Sequence, residues 1–298
     1  MKKLFCMVML LLFLLGMVGC CVMTDSEVQT PEVSSSNSNL DNETSPDVQK
    51  NIATIEESVI LDEAGIKITA KSLEIGGLFG EELKLLIENT SGVDVTVQVN
   101  NFSVNGYMID PIMSADVVNG KKANTSLTIT NSELEMCGIE TIADMEFNFH
   151  IFRTDNWDTY LDSDLIKITT SAAEEYEYTY DDSGEIAYNA NGVKIVVKGL
   201  SENDSILGPG IIVYIHNESN QNITVQTRDV SINGFMVDGM FSSDVAIGKH
   251  CIDSITFLSS DLEENGIEKI ESTELAFHIF NSESWRTIAD SDVILIEF

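Results

Sequence analysis

Positive charge is scarce in this chain: 16 Lys and Arg stand against 49 Asp and Glu, for a formal charge of -33 over 298 residues. Phosphate contacts need Lys and Arg, so this balance excludes nucleic acid as a partner. It also excludes a broad electrostatic hold on anionic lipid headgroups, and it fits a self-repelling, exported surface. Histidine is rare as well, with 4 in all. No set of three or four His and Cys has the spacing of metal ligands, so neither a metal nor a cofactor is expected. Of the 5 cysteines only Cys137 and Cys251 lie beyond residue 21. Long apolar runs are missing except at the start, where Leu4 to Val18 is too short for an ordinary spanning helix.

That first run reads as an export leader, with Lys2 and Lys3 before it and Gly16-Met17-Val18-Gly19-Cys20 at its end. A small residue before a cysteine at this place resembles the lipobox of bacterial lipoproteins, with Met17 where that family most often has leucine. The resemblance implies cleavage after residue 19, lipid on Cys20, and a chain anchored to the cell membrane facing the extracellular side. Two or more acyl chains hold a protein stably at a bilayer. Residues 20–56 are rich in Ser, Asn, Thr, Asp and Glu and nearly free of aromatics, the composition of a disordered stalk.

The rest of the chain is one domain written twice. Ser103-Val-Asn-Gly-Tyr-Met-Ile-Asp110 returns as Ser231-Ile-Asn-Gly-Phe-Met-Val-Asp238, an offset of about 128 residues that holds through nearly a whole domain. The spacing predicts one repeat over 57–170, an acidic linker over 171–184 and a second repeat over 185–298. Apolar residues alternate at Leu83, Leu85 and Ile87 and at Val93, Val95, Val97 and Val99, the period of half-buried strands. The phase slips by one after Asn100-Asn101 and again at Arg228-Asp229, as at a β-bulge or where a strand changes sheets. Asn105-Gly106 and Asn233-Gly234 read as type I′ hairpins, with both glycines at positive φ. Ser132 with Glu135 and Ser260 with Glu263 fit capping boxes of one short helix per copy, stopped by Gly138 and Gly266. Phe147, Phe149 and Ile151 share a face and should be core. Many short strands without βαβ alternation predict an all-β chain of two tandem antiparallel β-sandwiches, each with its own core and able to fold alone.

The order of Ile87-Glu-Asn-Thr-Ser91, Val104-Asn-Gly-Tyr-Met-Ile-Asp110 and Asn119-Gly-Lys121, matched by Ile215-His-Asn-Glu-Ser219, Ile232-Asn-Gly-Phe-Met-Val-Asp238 and Ile247-Gly-Lys249, resembles an immunoglobulin-like domain. That domain recurs in exported lipoproteins of Gram-positive bacteria, in a family of unknown function. The resemblance implies fold and location and brings no chemistry with it.

Chemistry-bearing residues are few. Cys137 and Cys251 correspond to Asn265 and Ala123 in the other copy, which predicts two free thiols; a bond between the copies would need facing surfaces close together. His250-Cys251 corresponds to Lys122-Ala123 and has no orienting residue, so no catalytic residue is assigned and the protein reads as a non-enzyme. His150 and His278 are equivalent and lie opposite the core phenylalanines, as half-exposed strand residues. Asp155, Asp158, Asp162 and Asp164 near Trp157, with Glu283, Asp290 and Asp292 near Trp285, could bind calcium but lack an EF-hand spacing. Turn-capping explains the Asp-Ser-Asp triplets equally well. Trp157 and Trp285 read as plugs at the sandwich end, with sugar stacking as the alternative. The expected function is a non-enzymatic, membrane-anchored surface lipoprotein whose tandem domains serve binding or envelope interaction with a protein or glycan ligand. The alternative is a calcium- or carbohydrate-binding module with one weak site per repeat.

Overall fold

A strand that must bury one face pairs with neighbours that bury theirs, and period-two alternation therefore dictates sheets packed in layers. The structure, a computed structural model, describes residues 53–201 and 207–298. The leader, Cys20 and the stalk as far as residue 52 lie outside the described residues.

Copy one is a sandwich of two antiparallel sheets. Its back sheet holds β1 (Ser58–Glu63), β2 (Ile66–Glu74), β3 (Gly80–Asn89) and β7 (Lys121–Thr130), in the order β1-β2-β3-β7. Its front sheet is built on β4 (Val95–Val104) paired with β8 (Asp144–Arg153). Around that pair lie β5 (Tyr107–Met108), β6 (Ala115–Val117), β9 (Thr159–Asp162) and β10 (Ile166–Thr169). Phe147, Phe149, Ile151, Leu83, Ile87 and Leu127 are all fully buried between the sheets. Each contributes roughly 1.5–3 kcal/mol.

Copy two repeats the plan. Its back sheet is β11 (Glu185–Ala190), β12 (Val193–Leu200), β13 (Gly210–Asn217) and β18 (His250–Phe257), with β16 (Gly239–Met240) on β18. Its front sheet is β14 (Ile223–Ile232) paired with β19 (Ser272–Asn281) and flanked by β15 (Phe235–Met236), β17 (Ser242–Val245), β20 (Thr287–Asp290) and β21 (Ile294–Glu297).

The predicted turns form. Asn105 and Gly106 have φ of 50° and 85°, and Asn233 and Gly234 have 51° and 84°, as a type I′ hairpin requires. Asparagine there also staples the loop before β8: the Asn105 Oδ1 accepts from the N–H of Ala143 and Asp144, and its Nδ2 donates to the Thr141 carbonyl at 2.8 Å. Asn233 does the same with Glu271, Ser272 and Lys269. The phase slips are β-bulges, with Asn101 at φ 52° and Asp229 at φ 53° where the register of β4 on β8 and of β14 on β19 shifts.

The capping boxes do not form. Helices α1 (Asn131–Met136) and α2 (Ser259–Glu264) start directly off β7 and β18, with Thr130 and Leu258 as N-caps and no side-chain cap bond. The strand's exit sets the first turn, so Ser132 falls inside the helix and its hydroxyl meets that of Thr130 at 3.1 Å instead. Gly138 and Gly266, at φ 65° and 68°, end both helices in the left-handed stop the sequence predicts.

Each copy holds its own buried cluster, and the two copies are also joined to one another. Both copies belong to one compact unit, Lys50–Phe298. Tyr107 in β5 pairs in parallel with His250 in β18, and the His250 N–H donates to the Gly106 carbonyl at 2.9 Å. The front sheet of copy one thereby continues into the back sheet of copy two as a single 11-stranded sheet. Val196 and Tyr214 of copy two belong to the buried cluster of copy one. The acidic linker is tied to both copies: Tyr178 donates to Asp144 at 2.5 Å, Tyr180 donates to the Asn105 carbonyl at 3.1 Å, and Asp181 and Asp182 pair with Lys198 and Lys194. Lys249 of copy two pairs with Glu146 of copy one at 2.6 Å.

Candidate functional site

Two outer faces of each sandwich are open to comparison between the copies, and they have diverged differently. On the back sheets, Thr69, Lys84, Leu86, Glu88, Lys122 and Asn124 of copy one become Val196, Ile212, Tyr214, His216, His250 and Ile252. The reason is packing: Val196, Tyr214 and Ile252 of copy two pack against the core of copy one, where larger apolar or aromatic groups replace smaller or more polar ones. On the front sheets one run of residues on the face away from the core is the same in both copies: Thr96 and Thr224, Gln98 and Gln226, Ser114 and Ser242, Asp116 and Asp244, His150 and His278, Phe152 and Phe280, Trp157 and Trp285, Asp162 and Asp290; beyond it Asn100, Asn148 and Lys167 become Arg228, Ala276 and Leu295.

Strand register brings these residues into one stripe. Gln98 lies opposite His150 and Thr96 opposite Phe152, while His150 faces Asp162 on its other side. The same pairs recur as Gln226 with His278, Thr224 with Phe280 and His278 with Asp290. The polar members hold one another in place. The Nδ1 of His150 meets Asp162 Oδ1 at 2.5 Å, and that of His278 meets Asp290 at 2.6 Å. Gln98 donates to the Ser114 hydroxyl at 3.3 Å and Gln226 to Ser242 at 3.1 Å. Thr96 donates to Asp116 at 2.6 Å, and Thr224 donates to Asp244. The hydrogen bond from His278, and then the nearby Arg228, hold the Asp290 carboxyl below its ordinary range.

Each stripe ends in a tryptophan, and here the reading of Trp157 and Trp285 as core plugs is overturned. They are 67% and 53% exposed. Trp157 lies flat on Phe152 with centroids 5.3 Å apart and planes 19° apart; Trp285 lies on Phe280 at 5.5 Å and 18°. Both sit in the tight turn leaving β8 or β19, at φ 65° and 60°. A bulky residue in that left-handed region is strained by about 1–3 kcal/mol, whereas Asn or Gly would meet the turn cheaply. The same strain is kept in both copies.

The acidic loops do not converge. Asp155 is held by Arg153 at 2.7 Å, Asp158 accepts from Asn156, and Asp162 accepts from His150. In the Asp-Ser-Asp triplets it is the serine that is pinned: Ser163 accepts from the Phe149 N–H and Ser291 from the Phe277 N–H, both at 2.8 Å. Among the described residues no three His, Cys, Asp or Glu come together to hold a metal ion. Cys137 and Cys251 are free and buried. Burial pushes the Cys137 thiol up to about 12 and the Cys251 thiol well above its usual value, so both are protonated and weak nucleophiles. His250 is no partner to Cys251. It lies at the junction, stacked on Tyr180 at 3.6 Å and His216 at 4.1 Å, with its Nδ1 on the Tyr214 hydroxyl at 2.6 Å.

In the front stripe the copies agree at Gln98, Ser114, His150 and Trp157, partly or largely exposed positions that no core explains. No family model matches the chain, and no curated protein matches it. Sequence reading had found His150, Trp157 and Asp162 but not their assembly with Thr96, Gln98, Ser114, Asp116 and Phe152. The signal was available as identity between the copies at strand positions facing away from the core.

Proposed function

We propose that this protein is a non-enzymatic surface lipoprotein, held to the cell membrane by lipid on Cys20, whose two immunoglobulin-like domains bind an envelope or extracellular ligand through their front faces. The observation that carries this reading is the identity of the two front stripes set against the divergence of the two back faces. Core packing keeps inward residues alike, but it places no demand on Gln98, His150 or Trp157. A shared binding task does. The leader ending in Gly19-Cys20 supports the anchoring half of the reading.

A photoreactive diazirine side chain tests the binding half without knowing the ligand. Placed at Asp158 or Arg286, beside the two tryptophans, it should form adducts on cells displaying the protein. At Lys122, on the back sheet of copy one, it should not. Equal labelling from all three positions, or none from either front position, would sink the reading. In the same cells Cys20→Ala should lose fatty-acid labelling and membrane retention; an equally labelled variant would remove the anchor.

A further inference from the structure

We propose that the ligand of the front faces is a neutral glycan chain, stacked on Trp157 in copy one and on Trp285 in copy two. This rests on the front faces being binding surfaces and goes further by naming the chemistry they take.

Three features select that chemistry. The first is the ring itself. A tryptophan is held in a strained backbone conformation in both copies, flat on a buried phenylalanine and more than half exposed. Its rigid support means that ordering the ring costs little when a ligand arrives. The second is geometry. Phe152 and Phe280 are 5% and 4% exposed, so of each stacked pair only the tryptophan meets solvent, as a platform and not a cage. Quaternary ammonium groups favour several rings around them. A platform suits a flat ligand with an apolar C–H face, which a pyranose has. The third is charge. The shared stripe holds no Lys or Arg and carries two carboxylates, which excludes phosphate, sulfate and uronate groups. Arg228 and Arg286 border the stripe in copy two, but their counterparts are Asn100 and Asp158, and Arg228 is paired to Asp290 at 3.1 Å; Arg153 in the turn of Trp157 is paired to Asp155, and its counterpart is Asn281, so the copies share no cation there. Along the same stripe lie an amide, a serine hydroxyl, an imidazole and two carboxylates, fixed by hydrogen bonds and suited to hydroxyl groups.

Duplication then has a purpose, since a polymer can engage both platforms and gain avidity by linkage. The test uses the full chain in detergent and co-sedimentation with chitin, cellulose, mannan and starch, with heparin-agarose and choline-agarose as charged comparators. The protein should sediment with at least one neutral polysaccharide and be released by its soluble oligosaccharide but not by salt. Trp157→Gly and Trp285→Gly keep the left-handed turn while removing the ring; relief of backbone strain offsets the lost stack, so both variants should still give a cooperative melt. Each single variant should lose at least about tenfold in retention, through lost avidity. The double variant should lose all of it, and Trp157→Phe should restore part of the first loss. Failure on every neutral polysaccharide, binding only to heparin or choline, or unchanged retention of the double glycine variant would overturn the proposal. If the diazirine at Asp158 and Arg286 still forms adducts in that event, the front faces bind something else; if it does not, both readings fall.

Discussion

Burial lifts the Glu133 carboxyl on α1 to about 7, with repulsion from Asp110 and from Asp253 of copy two adding to it. Its ordinary value is 4.5, so across that interval the folded chain keeps a proton that the unfolded chain has lost. Stability from this group falls as pH rises through the window, and the penalty is complete above about 7. His250 works in the opposite sense. Burial first, then His216 and Lys249, hold its imidazole down to about 4, against a slight lift from Asp182. Its other neighbours, Tyr107, Tyr180 and Tyr214, are uncharged at these pH values. Below 6.5 the unfolded chain takes up a proton that the folded chain refuses, so stability falls as pH drops towards 4. Glu133→Gln should therefore raise the melting temperature near pH 8 and flatten the decline of stability as pH rises through about 7. Melts across that range check it; an unchanged slope above pH 6.5 would show that Glu133 carries no such penalty.

At the scale of elements, the two Asn-Gly hairpins share a sequence and a conformation but not a setting. A Cβ on Gly234 at φ +84° would meet nothing within 4 Å. On Gly106 at φ +85° it would lie 2.5 Å from the Tyr180 hydroxyl. Gly234→Val should thus cost about 1–3 kcal/mol from backbone strain alone. Gly106→Val should cost more, because Tyr180 must leave its place over His250. Thermal melts of the two variants decide the matter: equal losses would mean that the Tyr180 contact is worth nothing. The turn itself, the bulges at Asn101 and Asp229 and the glycine stops of both helices were legible, because each is a local backbone demand that few residue types meet. The capping boxes were misread because β7 and β18 deliver the chain into each helix already oriented, and a local motif yields to that tertiary constraint.

In the molecule as a whole, the junction couples the copies through a short strand pairing, an aromatic cluster and the Lys249–Glu146 ion pair, both partners of which are about 15% exposed. The parent should melt in one transition. Lys249→Ala removes a largely buried charged hydrogen bond worth about 1.5–3 kcal/mol, and with Tyr180→Ala it should split calorimetry into two transitions. A parent that already shows two would mean that the junction is too weak to couple them. Duplication, strand period, core phenylalanines and turns follow from the sequence alone, because alternation and glycine placement act within a few residues. Which faces meet did not follow. Tyr107 is 5% exposed at the junction, while its counterpart Phe235 is 47% exposed at the far end. The two residues stand in the same motif, and only the neighbour packed against one of them sets their fates apart. Likewise Trp157 reads as core by its hydrophobicity, and only the turn that carries it places the ring outside. Burial between distant segments is a property of the assembled surfaces, and that is the physical reason the tertiary structure alone could decide it.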